Sequence, residues 1–142
     1  MSLRQIRVPG RLDQIEVLCV AVDDCAREAG FDDRTRYACQ LAVGEACENI
    51  VKHGYGPMRR GEILLVARAS PGEIQLELRD SAPPFNPSSL PPDQPWTEDN
   101  PPVGGLGLQI MHRVMDEVSY RRRLGQNRLQ MRKRLVRKPR RE

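Results

Sequence analysis

Aromatic side chains are scarce in this sequence: two Phe, three Tyr and one Trp among 142 residues. A protein that stacks single-stranded bases along a groove needs more flat rings than that. No stretch approaches the roughly 18 consecutive apolar residues of a membrane-crossing helix. Near the start stand Arg4 and Arg7, but no apolar run follows them, so no secretory signal is read there. Internal repeats are absent. No two of Cys19, Cys25, Cys39 and Cys47 form a Cys-x-x-Cys pair, and all sit beside Ala, Val or Leu. They read first as small, reduced core residues of a cytoplasmic protein, ahead of zinc or disulfide chemistry.

What is present is an ordinary globular composition with a skewed charge. The length and 16.2 kDa mass fit one domain over residues 1–142 and a substantial core. The net charge of +4 hides an asymmetry: residues 121–142 hold 11 of the 23 Lys and Arg but only one acid, Glu142. The basic end reads first as a solvated strand face with a free tail at 136–142. A docking surface for an acidic partner comes second and nucleic acid last, since only Tyr120 lies near the basic run.

Residues 3–8 alternate as a short strand, closed by Pro9-Gly10. Residues 11–29 carry apolar positions at helical spacing, and Gly30 stops them. Asp32 or Asp33 can cap a second helix running to about His53, rich in small residues. Residues 62–69 and 73–79 form two strands around Ser70-Pro71-Gly72, and Asp80 ends the second. Residues 83–102 hold eight of the 12 prolines, too many for a regular element, and read as a functional loop. Gly104–Gly107 precede a helix to Met115. Strands over 117–122 and 128–135 close the chain around a turn at 124–127. The order β-α-α-β-β-loop-α-β-β implies an α+β fold: a two-layer sandwich with a mostly antiparallel, mixed sheet and helices on one face.

Three clusters carry chemistry. Glu45, Asn49 and His53 recur every four residues along one helix stripe, drifting ~40° per step. A carboxylate and an amide one turn apart can hold water or a metal ion, and Mg²⁺ takes oxygen ligands. Asp80 ends an apolar strand, where a carboxylate can accept from a ligand in a pocket. Gly104-Gly105-Leu106-Gly107-Leu108 opens a helix, letting backbone N–H groups approach phosphate oxygens. No Lys follows these glycines as in a P-loop, and no βαβ unit surrounds them. Taken singly, each has a plainer reading: a solvated helix face, a turn residue, a flexible connection.

In this order, the clusters resemble the Bergerat (GHKL) ATP-binding fold, in its small RsbW/SpoIIAB-like branch of anti-sigma factors and serine-protein kinases. The resemblance covers about residues 4–135. It is most specific over residues 43–55, with Glu-Ala-x-x-Asn-x-x-x-His-Gly-Tyr, and over 104–118, with Gly-Leu-Gly-Leu-x-Ile-Met and Met-Asp-Glu-Val. The closing Leu-Gln-Met-Arg-Lys-Arg-Leu looks like the family's last strand.

That resemblance implies ATP and Mg²⁺ as cofactors. Glu45 matches the general base acting on the protein substrate's hydroxyl, Asn49 the Mg²⁺ ligand, and Asp80 the acceptor for the adenine amino group. The implied nucleotide contacts are Asn49, His53, Asp80, Ala82, Phe85, Gly104, Gly105, Leu106, Gly107 and Leu108. Residues of about 83–105 become the lid over the phosphates. The implied partners are an anti-anti-sigma protein of STAS type and a sigma factor or similar regulator, with homodimerisation and no direct nucleic-acid or membrane binding. Two departures stand out. Ala82 replaces the glycine of Asp-x-Gly, and residues 80–112 contain no Lys or Arg. A cation for the transferring phosphoryl group would come from Lys52, Arg59, Arg60 or the partner. A kinase is thus one expectation, and a nucleotide-responsive binding module without transfer activity the alternative.

Overall fold

The computed structural model describes residues 2–56, 60–84 and 105–135. The chain runs through β1 (Ser2–Pro9), a 3-10 turn (Leu12–Gln14), α1 (Ile15–Glu28), α2 (Asp33–Asn49), a π-helical turn (Ile50–Tyr55), β2 (Glu62–Ser70), β3 (Glu73–Asp80), α3 (Gly105–Val114), β4 (Glu117–Arg123) and β5 (Gln126–Arg134). The expected element order is therefore observed. Most of the proline-rich segment, with Phe85 and Gly104, and the tail at 136–142 lie outside the described residues.

The strands form one sheet in the order β1-β2-β3-β5-β4. The expected α+β arrangement is present, but every pairing is antiparallel and no parallel pair occurs among the described residues. The reason is the chain path. The two helices between β1 and β2 return the chain to the end where β1 finished, so β2 runs back beside it. A single helix separates β3 from β4, which makes those two strands run the same way. Strand β5 then inserts between them and replaces a parallel contact by two antiparallel ones.

Alternation decides which face is buried. In β3, Ile74, Leu76, Leu78 and Asp80 all point to the helical layer and are buried. A strand's side chains change face at every residue, so Asp80 is carried inward by the register of the three aliphatic residues before it. Ile63, Leu65, Ala67 and Ala69 of β2 and Leu129 and Met131 of β5 complete that face. Helix α1 meets it with Leu18, Ala21, Val22, Cys25 and Ala26, one stripe at helical spacing. Asp32 caps α2 by accepting from the Thr35 N–H at 2.9 Å, as expected of that position.

The cysteines are all free; Cys25, Cys39 and Cys47 are buried and Cys19 is half-buried. Burial pushes the Cys39 thiol up to about 12 and raises Cys47 further, so both are held as neutral packing groups.

The second helix departs from the sequence expectation at its end. The α-helix stops at Asn49 and a π turn carries the chain from Ile50 to Tyr55. That wider turn delivers the buried Tyr55 to a fixed place. Its hydroxyl donates to the Glu62 carbonyl at 2.6 Å and accepts from the Ser81 N–H at 2.9 Å. The ring lies against Gly61, where an added Cβ would come within 2.1 Å of the ring. Tyr55 thus ties the helix end to the ends of β2 and β3, directly beside Asp80. The Gly61→Ala protein is expected to lose about 2 kcal/mol of stability, the usual cost of overpacking a filled site. Its thermal midpoint by circular dichroism should fall by roughly 5–10 °C for a chain of this size.

Candidate functional site

Beside Tyr55, the chain assembles a cleft from three separate elements. Ala46, Ile50 and Gly54 contribute from α2 and its π turn, Asp80 and Ala82 from the end of β3, and Tyr120, Asn127 and Leu129 from the last hairpin. The cleft they line is narrow. Its walls are mainly apolar, and its polar groups converge on one carboxylate.

That carboxylate is Asp80, only 6% exposed. Its Oδ1 accepts from the Ala82 N–H at 2.9 Å and from the Asn127 amide at 2.9 Å. Among the described residues no donor reaches Oδ2. Burial is the largest influence on Asp80 and raises its pKa; the two hydrogen bonds and the positive charge of Arg122 oppose that rise. One oxygen is therefore engaged in holding the side chain, and among the described residues the other has no donor.

Asn127 is the partner that fixes Asp80. Its Nδ2 donates to Asp80 Oδ1 and to the carbonyls of Ala82 and Pro83, each at 3.1 Å. Its Oδ1 accepts from the Tyr120 hydroxyl at 2.5 Å and from Arg122 Nη1 at 2.9 Å. The same Arg122 nitrogen donates to the Ala82 carbonyl at 3.0 Å. Every polar atom of the buried amide is engaged, as burial demands. The sequence had placed Asn127 in a four-residue turn. The actual turn is two residues, Leu124 and Gly125, both with positive φ, and Asn127 is already in β5 opposite Asp80. Nothing in the sequence flagged Asn127, Tyr120 or Arg122 as a unit; only the pairing β3–β5–β4 joins them.

Ala82 is accommodated rather than strained. An added Cβ on Gly54 would lie 3.0 Å from the Ala82 methyl, so the room for that methyl comes from the glycine opposite.

The helical candidates divide. Asn49 is buried, and its Nδ2 donates to the Glu45 carbonyl at 2.9 Å, leaving its Oδ1 as an oxygen donor. Glu45 is half-buried on the preceding turn and lines a neighbouring groove with Leu12, Ile15 and Glu48. His53 is exposed and does not line the cleft. Lys52, a candidate cation, is paired with Glu48 at 2.6 Å, and Arg60 is exposed. Gly105, Leu106, Gly107 and Leu108 form the first turn of α3, so the helix starts three residues earlier than the glycines suggested. The first N–H groups of such a helix have no intrahelical acceptor and favour anions. Phe85 and Gly104 fall outside the described residues.

No cluster of three or more His, Cys, Asp or Glu occurs among the described residues. A transition-metal cage is therefore not assembled by them. The lone oxygen of Asn49 fits Mg²⁺, which commonly takes one or two protein oxygens and completes its shell with phosphates and water.

The family model for the histidine kinase-like ATPase domain matches residues 8–133. The serine/threonine-protein kinase BtrW of Bordetella bronchiseptica is 34% identical over 97 residues, 68% of each chain. The serine-protein kinase RsbW of Bacillus subtilis is 26% identical over 126 residues, 85% of this chain and 79% of that one. Among solved structures, the RsbU and RsbW domains of Rv1364c from Mycobacterium tuberculosis superpose with a TM-score of 0.69 at 18% identity. That match covers 99% of this chain and 34% of the longer one, so it speaks for the fold. The chain belongs to the histidine kinase-like ATPase domain family, within the RsbW-like branch of serine-protein kinases.

Proposed function

We propose that this chain binds Mg²⁺-ATP and transfers the γ-phosphoryl group to a serine or threonine of a partner protein. The partner fits an anti-anti-sigma antagonist of STAS type, and the same chain sequesters a sigma factor or similar regulator, acting as a homodimer in the cytoplasm. The observation that carries this reading is Asp80: a buried carboxylate clamped through one oxygen, with the other available in an apolar cleft. A purine offering an exocyclic amino donor matches that chemistry, because a flat apolar body suits the apolar walls and its amine satisfies the free oxygen.

In this reading Asn49 Oδ1 holds the magnesium ion, which neutralises phosphate charge when bound. The opening N–H groups of α3, at Gly105 and Gly107, face the phosphate oxygens, with Gly104 and the rest of the lid excluding water. Glu45, one helical turn before Asn49, takes the proton from the partner's hydroxyl as the new oxygen–phosphorus bond forms. The bond from the γ-phosphorus to the bridging oxygen breaks, and ADP leaves with that electron pair. Holding these groups in line supplies most of the acceleration.

One observation favours a second reading, in which nucleotide only sets partner affinity. Lys52 is engaged with Glu48, and residues 80–112 supply no positive side chain for the transferring group. Incubation with radiolabelled Mg²⁺-ATP and candidate antagonists encoded nearby separates the two. The kinase reading expects label on a serine or threonine of the antagonist. Tight nucleotide binding without label selects the binding module. Glu45→Ala should slow transfer by about 100-fold or more, the usual worth of a general base, and leave the calorimetric ATP affinity nearly unchanged.

The base pocket gives a separate expectation. Asp80→Asn replaces the acceptor by an amide and should weaken ATP binding by roughly 10–100-fold, from loss of a charge-assisted bond. Asn127→Ala should weaken it about tenfold by freeing Asp80, and lower the thermal midpoint as well, since it orphans buried partners. Titration calorimetry with ATP and differential scanning calorimetry measure the two effects.

A further inference from the structure

The face of the sheet turned away from the helices carries a row of arginines that the fold pairs only in part. Across all five strands the register aligns Arg7, Leu64, Arg79, Arg128 and Arg121 side by side. Neighbouring strands lie only ~4.8 Å apart, and like charges directly opposite one another destabilise a sheet. Arg79 is paired with Glu77, and Arg7 reaches Glu62 at 3.5 Å with both side chains well exposed. Among the described residues no carboxylate pairs with Arg128, Arg121 or the adjacent Arg123. Arg128 Nε is buried and has no hydrogen-bond acceptor. A protonated donor without a partner is costly, and three adjacent guanidinium groups on β3, β5 and β4 compound the cost.

The half-buried Leu64, with Val66 beside it on the same face, interrupts the charge with an apolar strip. We propose that this outward face is a docking surface for a protein partner that presents carboxylates flanking an apolar side chain. The carboxylates meet the outer nitrogens of Arg79, Arg128 and Arg121 and relieve the repulsion within the row; the apolar residue covers Leu64. Nucleic acid fits less well. The β1 to β5 positions on this face include no aromatic ring for stacking, and the interleaved Glu77 opposes a phosphate backbone. The surface lies on the opposite side of the sheet from Asp80, so it operates independently of the nucleotide cleft.

The test uses the full chain without nucleotide. A fluorescein-labelled peptide of repeated Glu-Glu-Leu and a duplex DNA of similar charge are titrated at equal salt and followed by anisotropy. The peptide should bind more tightly than the DNA, and the Arg121→Thr/Arg128→Gln protein should bind it about tenfold more weakly, the scale of two lost ion pairs. The same double variant should melt higher than the parent at low salt, with the gap closing at high salt, because screening already quiets the repulsion. A role in the fold alone would lower the melting temperature at both salts and would overturn the proposal. Absence of peptide binding, equal binding by the variant, or preference for DNA would overturn it too. So would sedimentation showing a dimer that the variant dissolves without any loss of peptide binding, which would assign the face to a second copy. None of these results depends on ATP, so the kinase reading is judged apart from this one.

Discussion

The contact on which the site depends is the buried pair Asp80–Asn127. A carboxylate carried into an apolar layer is costly unless hydrogen bonds compensate it. Asn127 and the Ala82 N–H both donate to Oδ1, so the strand-end carboxylate is held through one of its two oxygens. Asn127 can do this because Tyr120 and Arg122, on the next strand, hold its other end. The network crosses three strands and fixes Asp80 without any element having to move.

Tyr55 provides the complementary constraint from the helical side. The π turn that brings it inward sets the distance between the helix carrying Glu45 and Asn49 and the strand carrying Asp80. A phosphoryl-transfer site needs its base pocket and its metal ligand at a fixed separation, since positioning dominates the chemistry. The glycines packed against Tyr55 and Ala82 belong to the same device: each removes a Cβ where two segments must touch. The two faces of the sheet then divide the work. The inner face holds the core and the cleft, and the outer face carries ion pairs together with an arginine, Arg128, whose Nε has no acceptor.

Much of this was legible in the residues. Periodicity located α1 and the two hairpins, because burying one face of an element imposes its period on the sequence, and capping chemistry put the start of α2 at Asp32 or Asp33. The Glu45 and Asn49 spacing and the terminal position of Asp80 were visible for the same reason. Where the reading slipped, the cause was local ambiguity. A π turn has no sequence period distinct from an α-helix, so residues 50–55 read as helix. The Leu124-Gly125 turn looked longer because Gln126 and Asn127 are polar, although tertiary pairing makes them strand.

The sequence by itself determined the order of elements, the buried stripe of each one and the types of functional group available, since these follow from local spacing and polarity. The tertiary structure alone decided that β5 lies between β3 and β4. That one insertion makes the sheet wholly antiparallel, sets Asn127 opposite Asp80 and aligns arginines from separate strands into a row. Strand order is fixed by how non-adjacent segments pack, and no spacing along the chain encodes which residue will face another across a sheet.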